Sequence, residues 1–197
     1  MNDFLTYFNL GFKHITDLGG YDHILFIVAL CAVYLISDWK QLLIIVTFFT
    51  IGHSITLALA VLKLVNIDSK IIEFLIPVTI LFTALSNLFQ NLPENSLMKF
   101  PTPISRYILT GFFGLIHGLG FSNYLKSLLG SESDIFIPLL SFNIGLEIGQ
   151  LIIVLIIMLL SFIFYNLFNF KRKDINLVTS GFVAGVTMTL LIDKWIF

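Results

Sequence analysis

Charge and cysteine are both scarce in this 197-residue chain. Asp, Glu, Lys and Arg make up 12% of it, about half the share of an ordinary soluble domain. The residues that fill the gap are apolar, with a hydrophobic share of 57% and a mean hydropathy of +0.97. Net charge is −1, which argues against a nucleic-acid partner. Cys31 is the single cysteine, so neither an internal disulfide framework nor a thiolate cluster can form, and no redox compartment follows from it. No polar linker separates the apolar runs into two units. Residues 1–197 therefore read as a single integral membrane domain.

What the chain has instead is long hydrophobic runs. A membrane helix needs roughly 20 mostly apolar residues. Six spans fit, over Tyr21–Ser37, Gln41–Leu62, Ile71–Gln90, Ser105–Leu129, Ile135–Phe168 and Asn176–Trp195. Polar breaks separate them at "SDWK", "NIDS", "NLPENS" with "PTP", "GSESD" and "KRKD". The fold expected is all-α, a polytopic membrane helix bundle of about six transmembrane helices plus a short N-terminal amphipathic helix. The fifth span exceeds a hydrocarbon core of about 30 Å, so it should tilt, project, or break near Pro138 or Gly145. The N-terminal "NDFLTYFNLGFKH" has no basic start, clean apolar core or small-residue cleavage site. It reads as an interfacial helix kept in the mature protein. Frequent Phe, Ile, Asn and Lys hint at an AT-rich bacterial genome. The odd-numbered loops hold Lys40, Lys99, Arg106 and the compact "KRK" at 171–173. The positive-inside rule puts these in the cytoplasm and both termini outside it.

Within this topology the rare polar residues share a depth. "HITDLGGYDHILFIVAL" places His14, Asp22 and His23 at the outer mouth of the first span. His53 and His117 lie roughly 18 Å above the inner boundary of the second and fourth spans. Asn143 and Glu147 lie roughly 12–18 Å below the outer surface on the fifth. Glu73 caps the outer end of the third. Each has an ordinary reading beside a functional one. Asp22 could N-cap its helix, His14 could be a solvated interface residue, and His23 could bond a neighbouring loop. His53 and His117 are harder to explain away, because an ionisable group inside a span is costly and turns to a cavity or partner. Asn143, Glu147 and Gln150 share one helix face in "SFNIGLEIGQL", where an uncompensated carboxylate must be neutral, paired or metal-bound. Gly145 and Gly149 leave a small face for packing. Thr50, His53 and Ser54 repeat the habit on the second span. Gly111, Gly114 and Gly118 surround His117 on the fourth. Thr79, Thr83, Ser86 and Asn87 read as packing glue toward the other end of the third.

Four histidines with Asp and Glu, and no cysteine cluster, imply a nitrogen/oxygen site for a divalent transition metal. The candidate ligands are His14, Asp22, His23, His53, His117 and Glu147. Ser54, Asn143, Gln150 and Glu73 are supporting polar groups.

The motifs "HITDLGGYDHILF", "FFTIGHSITL", "FGLIHGLGF" and "FNIGLEIGQL" together resemble the HupE/UreJ family of bacterial membrane proteins, in its second, shorter branch. The resemblance runs from Gly11 into the last span. It implies nickel or cobalt entry for hydrogenase and urease maturation, with an essential His-Asp-His set carried here by His14, Asp22 and His23. Seven residues, Ile15 to Tyr21, stand between the first His and the Asp-His pair, where the better-studied permeases have five. Phe113 and Gly120 stand where those permeases have a further His and a Glu. His53 and Glu147 are then the compensating ligands. Three functions remain open at this point. One is a permease for nickel, cobalt or zinc. The second is an intramembrane zinc hydrolase using a metal-bound water. The third is a non-catalytic subunit of a larger membrane complex. Membrane lipid and a metal ion are the expected partners, with a homo-oligomer or a complex partner left open.

Overall fold

The computed structural model describes residues 3–92, 100–129 and 135–195. The apolar runs fold as helices, with no strand among the described residues. In chain order they are α1 (Asp3–Thr16), α2 (Asp22–Cys31), α3 (Trp39–Val61), α4 (Ser69–Leu88), α5 (Ile104–Leu129), α6 (Phe136–Leu167) and α7 (Arg172–Asp193), with a 3-10 turn over Ile36–Asp38 leading into α3. Most of the breaks expected at "NLPENS" and "GSESD", and Lys99 with them, lie outside the described residues.

Four segments are long and apolar enough to cross a membrane: Ile36–Val61, Ser69–Leu88, Phe136–Leu167 and Arg172–Asp193. A helical membrane-type bundle is thus supported, but a count of six spans is not. α5 has the length, but its run is diluted by Gly, His, Ser and Asn. α2 has the hydropathy but only 10 residues, about 15 Å of helix. It ends early because the peptide groups after Cys31 bond elsewhere. Arg172 Nε donates to the Val33 carbonyl at 2.9 Å, and the Leu35 amide donates to Asp38 Oδ2 at 3.1 Å. Asp38 and Arg172 in turn form a fully buried ion pair. α6 stays continuous through Pro138 and Gly145 for 32 residues, about 48 Å. Pro138 is harmless because it lies in the first turn, where an N–H has no intrahelical acceptor.

Three helix pairs pack lengthwise, α3 with α5, α1 with α6 and α4 with α7, and α2 lies among α4, α6 and α7. Glycines set the first two pairs. Gly52 rests on the Gly111 carbonyl, Gly114 on that of Phe49, and Gly118 on that of His53, so that a methyl group at any of them would overlap backbone. Gly11 rests likewise on the Phe142 carbonyl and Gly145 on that of Phe8. α1 therefore packs along α6 inside the bundle, with Tyr7 and Ile15 buried. It does not form the detached interfacial element that its amphipathicity implied. Helix packing of this closeness needs small residues at the contact.

The contacts also fix directions. His23 with His53 and Phe26 with Phe49 run α2 against α3. Phe142 beside His53 and Glu147 beside Thr47 run α6 against α3. α1 runs with α6, since Gly11 meets the turn after Phe142 and Gly149 meets Phe12 and Ile15. α1 and α2 consequently point the same way. His14 in the last turn of α1 meets His23 in the first turn of α2, so the two helices stack end to end. Their 14 and 10 residues cover about 36 Å, the length of one interrupted span.

Candidate metal centre

The interruption between α1 and α2 is where the histidines gather. His14 closes the last turn of α1 and His23 is the second residue of α2. Their rings meet edge to face with centroids 4.7 Å apart. The glycine contacts of α3 and α5 bring in the other two. His53 lies 6.0 Å from His14 and 6.3 Å from His23, and His117 lies 5.0 Å from His23, all between ring centroids. One ligand nitrogen from each of His14, His23 and His53 falls within 4.8 Å of the other two. Two nitrogens each about 2 Å from one ion lie about 3–4 Å apart, so modest ring rotations close the set on a metal.

The hydrogen bonds leave these nitrogens available. Asp22 Oδ1 accepts the His23 backbone N–H at 2.8 Å and the His23 Nδ1 proton at 2.9 Å. That fixes the ring and frees Nε2 as a lone-pair donor, the arrangement that metal-binding imidazoles use. His14 Nε2, His23 Nε2 and both nitrogens of His53 are buried with no hydrogen-bond partner. Buried polar atoms are rarely left unpaired, and a cation would satisfy one nitrogen on each of the three rings together. His53 and His117 are fully buried and His23 nearly so. Phe26 and Phe49 pack against His117 on the side away from the helix break, Phe142 stacks on His53, and Phe121 lies against His14. A cavity of about 260 Å³ opens over the other side, lined by His14, Asp22, His23 and His117, with Asp17 and Glu73 adding carboxylates.

The remaining candidates fall around this centre. His117 shares a 3.2 Å hydrogen bond with Thr79 through Nε2, and its Nδ1 is unpartnered. Asp22 is the first residue of α2, while the capping position itself falls on Tyr21. Glu73 lies in the second turn of α4, lines the cavity and faces Lys194 at 3.5 Å, while Asp68 caps that helix. Glu147 lies half-buried on α6 and accepts a 2.8 Å hydrogen bond from Thr47. Gln150, one turn on, accepts from Thr50 at 2.7 Å. Ser54 donates to the Thr50 carbonyl and Asn143 to the Leu139 carbonyl.

In the sequence Thr79 reads as packing toward the far end of its helix, yet it touches His117. The signal was the antiparallel course of α4 and α5, which sets Thr79 level with His117 and Asn87 level with Arg106. The phenylalanine wall had no signal in the sequence, where 21 phenylalanines are spread along the chain.

A family model described as HupE / UreJ protein matches residues 1–196 of the chain. No curated protein and no solved structure matches.

Proposed function

Because the chain belongs to the HupE/UreJ family, we propose that it is a membrane permease for a divalent transition-metal ion, with His14, His23 and His53 as the binding set and His117 beside them. The observation that carries this reading is the convergence of buried, unpartnered imidazole nitrogens within 4.8 Å at a helix break. A broken membrane helix is a recurring way to place an ion site in a transporter, because the break exposes donors without a complete protein cage. Imidazole suits nickel, cobalt and zinc alike. The family association with metal handling favours nickel or cobalt as the cargo.

In this reading the metal is substrate. Asp22 holds His23 in its donating tautomer, and the carboxylates of Asp17 and Glu73 at the cavity raise the local concentration of cations. Phe26 and Phe49, beneath the rings in this orientation, keep the inner route shut while the ion is bound. The stacked α1 and α2, together with α5, complete six crossings of the bacterial inner membrane. "KRK" then faces the cytoplasm and the cavity opens outward.

The test is metal uptake into proteoliposomes alongside elemental analysis of the purified protein. The native chain should bind about one ion and transport nickel or cobalt. His23→Ala and His53→Ala should lose both at unchanged helicity. Native metal content in His53→Ala, or no metal-dependent flux in the native chain, would overturn the proposal.

A further inference from the structure

A second polar cavity lies at the opposite end of the bundle, between α4 and α5, with a volume of about 80 Å³. Arg106 projects into it from the first turn of α5. One guanidinium nitrogen donates to Asn87 Oδ1 at 2.6 Å, and the group lies over the rings of Tyr34 and Phe100 at 5.4 and 5.9 Å. Nε is buried and has no acceptor. The ion pairs among the described residues join His23 to Asp22, Arg172 to Asp38 and Lys194 to Glu73, and none includes Arg106. An arginine stays charged in a protein, so among the described residues this cation meets neutral groups alone. Ser86, Ser105 and Gln90 bring further donors to the same cavity, and the start of α5 adds the positive end of a helix dipole. Among the described residues that line the cavity, none is a carboxylate.

We propose that this cavity binds a phosphate oxyanion, and that its source is the headgroup of an anionic phospholipid. A guanidinium offers paired donors that match phosphate geometry, which a lone ammonium does not. Phe82 and Leu109 line the same cavity and are 52% and 40% exposed, so an apolar track leads from the charge to the outer surface of the bundle. That combination suits a headgroup with its acyl chains lying along α4 and α5. The "KRK" segment begins α7 at this same end, where Asn176 donates to the Asn87 carbonyl, so the basic residues around the cavity share one membrane face. The site stands apart from the histidine cluster and does not depend on metal transport.

The experiment uses the full chain in a neutral detergent and follows thermal unfolding and lipid binding. The probes are phosphatidylglycerol, a diacylglycerol with the same chains, and inorganic phosphate. Phosphatidylglycerol should raise Tm by a few degrees and the diacylglycerol should not. Arg106→Gln should lose the response. Since that variant strips Asn87 of its partner and could misfold, Ser105→Glu provides the second arm. It adds a carboxylate at an exposed position in the first turn of α5, where an acid suits the dipole, and fills the site from within. Ser105→Glu should fold normally and bind phosphatidylglycerol about tenfold more weakly. A shift from inorganic phosphate alone, lost in Ser105→Glu, would keep the oxyanion site but overturn the lipid as its source. Equal shifts from the diacylglycerol, or an undiminished phosphatidylglycerol response in Ser105→Glu, would overturn the site itself.

Discussion

His14 and His23 face each other across a five-residue break, on two helices that run the same way, with ring centroids 4.7 Å apart. A continuous helix would carry residues nine apart about 13.5 Å along its axis. The break at "DLGGY" converts that separation into a contact. It also ends α1 and starts α2 inside the bundle, where the rings of α3 and α5 meet them.

Asp22→Asn tests the role of the carboxylate without touching a donor nitrogen. Asn can hold the ring but no longer strengthens His23 as a ligand. Metal affinity should fall by about 10–100-fold with the fold unchanged, as for other partners of metal-bound histidines. Titration calorimetry reads this directly, and an unchanged affinity would separate Asp22 from the site.

Gly118→Ala should damage both stability and metal binding, because the added methyl would overlap the His53 carbonyl and part α3 from α5. Overpacking of this kind costs about 1–3 kcal/mol. Gly181→Ala is the control. Nothing lies within 4 Å of its added carbon, so thermal unfolding should be unchanged or slightly raised.

Glu147→Gln separates an interhelical contact from a metal ligand. Gln still accepts from Thr47, so stability should change by no more than about 0.6 kcal/mol, and bound metal should remain. Loss of metal content in this variant would place Glu147 in the binding set after all.

Asp38→Asn should be among the most damaging changes in the chain. It takes the Asp38 charge away from the buried Arg172 guanidinium and weakens the bond that holds the Leu35 amide. Removing one partner of a buried pair costs about 3–5 kcal/mol. Thermal unfolding of the purified variant measures it.

Orientation is tested by labelling a single added cysteine. Lys173 and Asn66, the latter in the loop between α3 and α4, are both exposed, so Lys173→Cys and Asn66→Cys serve as markers, and the native Cys31 is buried and silent as background. An impermeant thiol reagent applied from outside should label residue 66 and spare residue 173. The reverse pattern would invert the topology.

The sequence by itself determined the all-α membrane class, because hydropathy over about 20 residues is a local property of the chain. It also determined which residues were unusual. His53 and His117 stand out in apolar runs since an unpaired ionisable group there is costly wherever the helices go. Depth along each span then brought the four histidines to one level before any packing was known. Tertiary structure decided what depends on neighbours far away in the chain. The early end of α2 is set by Arg172, some 140 residues later, supplying the Val33 carbonyl with a donor. The course of α1 along α6 is set by Gly11 and Gly145 meeting backbone carbonyls, which no local periodicity encodes. The partners of Glu147 and His117 were set by the azimuth at which α3, α4, α5 and α6 face one another. Hydropathy reports how far along a span a residue sits. Only packing fixes which way it turns, because rotation about a helix axis is resolved by the steric fit of the neighbouring helices.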